Sequence, residues 1–194
     1  PDESSKIKVH RFRYIFPEKF HILGHARSLK ADVKLHPLVP FLLPLFIIAS
    51  IIKLIKVAKD IKANAIHAHW VLPNGLSAAI VSNIIKIPFI ISLHGSDIFM
   101  ADKNFIFRAV AKWVFSQSTH VTACSQELYD RAKKINPDIK IQLLPWGADP
   151  DLFEPLENRE EIREKYGWKP EEIIITALGR LVYKKGFGHL IAAI

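Results

Sequence analysis

Residues 89–97, FIISLHGSD, decide the fold. Directly after Pro88, four apolar residues, Phe89, Ile90, Ile91 and Leu93, are interrupted only by Ser92. A short and nearly continuous apolar run suits a strand buried on both faces of a parallel sheet. It breaks off in His94, Gly95, Ser96 and Asp97, a polar and flexible cluster. In open α/β sheets, ligands sit outside the carboxyl ends of the strands. A histidine at such a tip is placed to meet a substrate. The same cluster can also be a turn whose histidine only satisfies nearby backbone groups.

Outward from this run, strands alternate with helices. On its amino side, residues 65–69 (AIHAH) read as a strand, 70–74 as a loop and 75–86 as a helix. On its carboxyl side come a helix over 104–116, a strand over 120–123, a helix after Ser125 and a strand over 140–144. Ser125 is a good N-cap, and Glu127 in the first turn favours the positive helix end. This alternation means βαβ units, hence an α/β fold with a Rossmann-like parallel sheet.

The period changes at residues 145–155, PWGADPDLFEP, where three prolines and a glycine mark a linker. Residues 158–166 form a short charged helix, with Asn158 and Glu161 in capping-box spacing and Gly167 as its C′ residue. A strand over 173–178 opens a second unit, whose helix begins near Gly186. The expected division is a partial N-terminal, acceptor-side domain over 1–145, a linker and short helix over 146–170, and the start of a second Rossmann-like domain over 171–194.

The amino-terminal third reads less simply. Residues 6–13, KIKVHRFR, alternate as a strand with one buried face. Residues 14–35 are loop with some helix. Residues 37–52 are the most apolar stretch, short of the ~20 apolar residues a membrane span needs. Pro37, Pro40 and Pro44 argue against a regular helix in its first half. From about Leu45 a helix can run to Lys62. On it Ile51, Leu54, Ile55, Ala58 and Ile61 share one face, with Lys53, Lys56 and Lys59 opposite. Such a helix either packs on a sheet or rests on an anionic membrane through residues 37–62, the latter open to a non-catalytic, membrane-surface binding module.

Composition narrows the class. Hydrophobic residues make up 49% and charged residues 24%, as in a globular protein. The one cysteine, Cys124, excludes an internal disulfide and a cysteine-built zinc site. It lies in an apolar run, as a buried structural thiol would. A reducing, cytoplasmic setting fits, peripheral at the inner membrane face if the basic helix binds there. The net charge of +8 and pI near 9.6 favour anionic partners. The positive charge is not gathered into one run, and aromatics do not interleave with it, which argues against nucleic acid. The opening residues Pro1 to Ser5 are polar, and the last six stop inside an apolar helical pattern. These ends lead us to expect an internal stretch of a longer protein.

A second stretch that can carry chemistry is residues 178–188, LGRLVYKKGFG. A strand ends at Gly179 and Arg180, a loop carries Lys184 and Lys185, and glycines open a helix. Arg180 can grip two phosphate oxygens at once, and Lys185 can add a mobile point charge. Gly186 lets backbone approach a ligand, and a helix amino end favours a diphosphate. The spacing is neither a dinucleotide fingerprint nor a Walker loop, and a solvated basic turn reads the same way. His67 and His69, two apart on a strand, share a face. With His94 and His120 they raise a metal site of the metallohydrolase kind, although the strand after His120 ends without a carboxylate or lysine. Ser96 and Asp97 adjoin His94 without a nucleophile elbow.

Taken together and in order, AIHAHWVLPNGLSAA, FIISLHGSD, VTACSQEL, LLPWGADPDLF and ALGRLVYKKGFGHLIAA resemble the family 4 glycosyltransferases, retaining enzymes of the GT-B type with two facing Rossmann-like domains. The resemblance covers nearly everything from residue 65 to 194. It implies sugar transfer from a nucleotide-sugar to a sugar, polysaccharide or lipid-linked acceptor. It matches Arg180 and Lys185, with Gly179 and Gly186, to the donor-diphosphate site, and His94 to the active-site histidine facing the transferred sugar. His69, Trp70, Asn74, Gly75 and Asp97 then belong to the acceptor-side cleft. No metal or other cofactor is expected, since the cations can balance the leaving diphosphate. Gly147 and Asp149 match the passage into the second domain, where Trp146 and Ala148 depart from the family's Pro-Asn-Gly-Val-Asp. The family's glycine-rich loop would precede Pro1 and its acidic donor motif would follow Ile194.

Overall fold

The computed structural model describes residues 7–23, 29–30, 34–35, 37–154 and 158–194. The chain divides into two compact units. One comprises Pro1–Ser28 with Leu35–Pro145, the other Leu29–Lys34 with Trp146–Ile194.

In chain order the elements are β1 (Leu29–Lys30) and β2 (Lys34–Leu35), a two-stranded sheet, then α1 (Val39–Asp60), β3 (Ile66–His69), α2 (Leu76–Ile85), β4 (Phe89–Leu93), α3 (Ser96–Lys103), α4 (Phe105–Gln117), β5 (His120–Ala123), α5 (Gln126–Ile135) and β6 (Ile141–Leu143). The second sheet is parallel throughout, in the order β3-β4-β5-β6. Parallel neighbours need a crossover, and α2, α4 and α5 supply it. The α/β class with a Rossmann-like parallel sheet thus follows from the alternation seen in the sequence.

β4 is central, and register places Ala68, Ile91 and Val121 in one row across three strands. Phe89, Ile91, Leu93, Val121 and Ala123 are all buried under the helices. The opposite face of β4 is different from the expectation of burial on both sides. Ile90 is 37% exposed and Ser92 is partly exposed. The side chains flanking Ser92 on this face, His69 and Thr122, are polar, so the row gives a packing helix little apolar area. Cys124 is half-buried against the core rather than enclosed by it.

Local signals set most boundaries. Asn104 caps α4, accepting from the N–H groups of Ile106 and Phe107, and Ser125 caps α5 by accepting from Leu128. α1 begins earlier than its prolines suggest. Pro40 sits in the first turn, where a missing N–H costs nothing, and Pro44 lies inside the helix. Pro44 forfeits one backbone bond, and the apolar side chains of the following turns outweigh it by packing. Ile51, Leu54 and Ile55 lie against the core, Ala58 is buried, and Ser50 Oγ meets Ser77 Oγ of α2 at 2.6 Å. At 22 residues α1 is also long and apolar enough to cross a membrane, contrary to the reading that the stretch is too short.

Three further expectations change. The described residues of 6–13 form no strand. Ile7 and Val9, the alternating apolar residues, are exposed, while Phe12 and Tyr14 pack on Phe46 of α1. Of the loop expected over 14–35, residues 24–28 and 31–33 lie outside the described residues. α3 takes in Ser96 and Asp97, expected to be part of a flexible cluster, and runs on to Lys103. In the second unit, α6 (Arg159–Tyr166) starts at Asn158, whose side chain accepts from the Glu161 N–H, and ends at Gly167 with φ 69°. A single turn, Tyr183–Lys185, leads to α7 (Phe187–Ala193). Residues 173–178 form no strand. Ile173 is 88% and Leu178 99% exposed, and with no adjacent strand among the described residues there is no ladder to join.

Candidate active site

Because β3 and β4 run parallel, both carboxyl ends open on one edge of the sheet. His69 is the last residue of β3 and pairs with Ser92; the Trp70 N–H extends the ladder by donating to the Ser92 carbonyl at 3.0 Å. His94 follows β4 by one residue. Backbone register therefore brings the two histidines together. His69 Nδ1 and His94 Nε2 are 2.8 Å apart, a hydrogen bond. The Trp70 ring stands edge-on to His94 at 5.9 Å between centroids.

The contact continues across the sheet. The His67 ring lies 4.6 Å from that of His69. His67 Nε2 meets Ser92 Oγ at 2.8 Å, and Ser92 Oγ meets Thr122 Oγ1 at 2.8 Å. Three strands thus contribute one polar row ending at His94. Burial, then the neighbouring His69, pushes the His67 imidazole below its usual range. His94 is also lowered, first by burial and then by His69 and His67, against the opposing pull of Asp97.

The loops around this row are tied down. Asp97 is 3% exposed, and its two carboxylate oxygens accept from the N–H groups of Val71 at 2.9 Å and Gly95 at 3.0 Å. It therefore joins the loop after β3 to the loop after β4 instead of lining open space. Gly95, at φ 111°, takes a conformation that other residues rarely adopt. The Asn74 side-chain amide donates to the His69 carbonyl at 3.0 Å, and the Gly75 N–H donates to the Trp70 carbonyl at 2.9 Å. Trp70 itself has φ 69°, a sparsely populated conformation that holds only where neighbours impose it. A Cβ on Gly75 would stand 2.5 Å from Ile91 Cδ1 and 3.1 Å from the Trp70 carbonyl oxygen. A mainly apolar groove of about 330 Å³ runs beside these residues, lined among others by Phe12, Lys53, Leu54, His67, His69 and Asn74.

In the second unit, Arg180 follows Gly179 in the chain, and Lys185 folds back towards that glycine. The Lys185 methylenes and the Phe187 ring lie 3.6–3.8 Å from where a Gly179 Cβ would stand. The loop is held by short backbone bonds, Val182 N–H to the Arg180 carbonyl and Lys185 N–H to the Val182 carbonyl. Gly186 has φ 71° and precedes α7. In the linker, Asp149 Oδ1 accepts from the Asp151 N–H at 3.0 Å, and nothing lies within 4 Å of a Cβ built on Gly147.

The metallohydrolase alternative loses its ligand set. Among the described residues no three His, Cys, Asp or Glu side chains come together to hold a metal. His120 begins β5, so it lies at the edge of the sheet opposite His94. Ser92 and Thr122 carried no signal on their own. Their alternation with buried residues on β4 and β5 places them on the polar face, but their partners follow only from the pairing register.

Residues 21–126, more than half of the chain, match a protein family described as glycosyl transferase 4-like. The chain is 34% identical over 151 residues to TuaC of Bacillus subtilis (strain 168), whose name assigns it to teichuronic acid biosynthesis as a glycosyltransferase. That match covers 76% of this chain and 38% of TuaC. A second relative, the UDP-Gal:alpha-D-GlcNAc-diphosphoundecaprenol alpha-1,3-galactosyltransferase of Escherichia coli, is 27% identical over 146 residues, covering 68% of this chain and 36% of the relative. The matched stretches cover well under half the length of either relative. The family match takes in β3, β4 and the strand tips that carry His69 and His94. With its parallel α/β sheet and these matches, the chain belongs to the glycosyl transferase 4-like family.

Proposed function

We propose that the protein transfers a sugar from a nucleotide-diphosphate donor to an acceptor, with retention of anomeric configuration. The observation that carries this reading is the folding of Lys185 across Gly179, next to Arg180 in the chain. A leaving diphosphate gathers negative charge as the glycosidic bond breaks. A guanidinium and an ammonium placed for that charge stabilise it most in the transition state. Gly179 and Gly186 keep the backbone open to the phosphates, and these cations do the work that a divalent metal would otherwise do. His94 orients the transferred sugar by hydrogen bonding. His69, Trp70 and Asn74 form the acceptor side, with Gly75 and Asp97 holding its loops in place.

The name of the E. coli relative gives it a UDP-sugar donor and a lipid-linked acceptor. A lipid-linked acceptor suits this chain for a reason of its own. α1 carries exposed apolar residues followed by exposed lysines, a pattern that favours peripheral contact with an anionic membrane.

The test is calorimetric titration of uridine diphosphate into the complete gene product. Arg180→Ala and Lys185→Ala should each weaken binding by about tenfold or more, as loss of a charge-assisted contact does. Sugar transfer should fall with it. Unchanged binding in both variants would sink the proposal.

A further inference from the structure

His69 has a second part to play beyond forming a wall of the cleft. We infer that it is a positioning residue for His94, fixing the orientation and proton placement of that ring through the Nδ1 to Nε2 hydrogen bond.

Backbone pairing leaves the rings little choice. His69 pairs with Ser92, the Trp70 N–H adds a rung, and His94 lies two residues beyond Ser92. The His69 ring is buttressed as well. His67 lies against it, tilted, at 4.6 Å and bonds Ser92, which in turn meets Thr122, and Asn74 grips the His69 carbonyl. His94 also meets the Trp70 ring in a T-shaped contact. A ring held this way can hold its neighbour.

The bond at 2.8 Å couples the protons of the two rings. One nitrogen must carry hydrogen and the other a lone pair. If His69 donates, a neutral His94 has its proton on Nδ1; if His94 donates, its Nδ1 has the lone pair. The proton position on one ring therefore dictates that on the other. Two N–H groups cannot face each other at this distance, so the pair holds at most one positive charge while the bond lasts. Among the described residues, titratable groups that act on His94 include His69 and His67 from β3 and Asp97 from α3. The histidines oppose its protonation and the aspartate favours it.

The positioning role rests on the glycosyl-transfer reading, whereas the hydrogen bond can be tested without it. Imidazole nitrogens are observed by long-range proton–nitrogen spectra of the labelled 194-residue chain across pH. His69→Ala should raise the titration midpoint of His94 and alter its Nδ1 and Nε2 shifts. His69→Asn, whose amide can stand in for Nδ1, should restore the shift pattern. In the complete gene product, His69→Ala should lower kcat about tenfold or more, with the donor KM within about twofold, and His69→Asn should recover much of it. A His94 spectrum indifferent to His69→Ala overturns the coupling. An altered spectrum with unchanged kcat overturns the positioning role. If the spectrum responds while Arg180→Ala and Lys185→Ala leave uridine diphosphate binding intact, the bond stands and the glycosyl-transfer reading falls.

Discussion

The carboxylate of Asp97 accepts a hydrogen bond from the Val71 N–H at 2.9 Å, across 26 residues of chain. Its other oxygen takes the Gly95 N–H. One buried side chain thus pins together the two loops that carry Trp70 and His94. Removing it strands two backbone donors, one of them the N–H of fully buried Val71. Hydrogen bonds to a charged group contribute about 1.5–3 kcal/mol each, and unmet buried donors cost a similar amount. Asp97→Ala should therefore lower unfolding stability by about 3 kcal/mol, read as the urea midpoint at unchanged slope. Asp97→Asn keeps an acceptor for one N–H and should lose about half as much. A loss below about 0.5 kcal/mol for the alanine variant would contradict the clamp.

Gly75 makes a sterically different prediction. Its φ is −61°, which any residue adopts, so backbone strain is not the issue. Space is the constraint, because a Cβ would press on Ile91, the Trp70 carbonyl and Val114. The methyl end of Ile91 can turn away, but the carbonyl is backbone and is bonded to the Gly75 N–H. Overpacking of this kind costs about 1–3 kcal/mol. Gly75→Ala should show that loss in thermal or urea unfolding. It should also shift the indole signals of Trp70, since relief of the clash moves that residue.

Acid should weaken the fold through His67 and His94. Both imidazoles are lowered in the folded chain, against an ordinary value of about 6.5. Between that value and the lower folded values the unfolded chain binds more protons, so stability falls as pH drops through this window and the effect levels off below it. Above the ordinary value the two residues add no pH dependence. Urea midpoints at pH 8 and pH 5 should therefore differ, and the difference should shrink in the double variant His67→Gln, His94→Gln. An identical pH response in the double variant would assign the effect elsewhere.

The legible and illegible parts of this fold separate by cause. β3 to β6, α2, α4, α5 and α6 were readable because their signals are local: apolar runs, alternation, and caps at Ser125 and Asn158. α3 was not, because tertiary bonds from Asp97 to Val71 and Gly95 help set its first turn, and no local pattern announces them. Residues 7–13 alternate and 173–178 are an apolar run, but neither pattern shows whether a neighbour exists to complete the ladder. His94 was visible as a strand-tip residue. Its bond to His69 was not, since that depends on the register between strands more than 20 residues apart in the chain.

α1 sets the last prediction. Leu38, just before it, and Phe41, Leu45, Ile48 and Ile52 are exposed by 38%, 75%, 44%, 56% and 64%. Their spacing of three and four residues puts them on one helical stripe, which continues into exposed Lys56 and Lys59. Length alone would let α1 cross a bilayer, but its other face packs on the core through Ile51, Leu54 and Ala58 and bonds Ser77. A helix so committed can lie on a membrane and cannot pass through it without unpacking. Burying Phe41 or Ile48 in the interface is worth about 1.5–3 kcal/mol each, and each lysine near an anionic surface about 1 kcal/mol. Co-sedimentation with phosphatidylglycerol vesicles should therefore capture the protein, and phosphatidylcholine vesicles should capture much less. Phe41→Ser with Ile48→Ser should cut capture at least tenfold, and Lys56→Gln with Lys59→Gln should cut it only for the anionic vesicles. If the serine pair binds phosphatidylglycerol as well as the parent chain does, the stripe is not the contact.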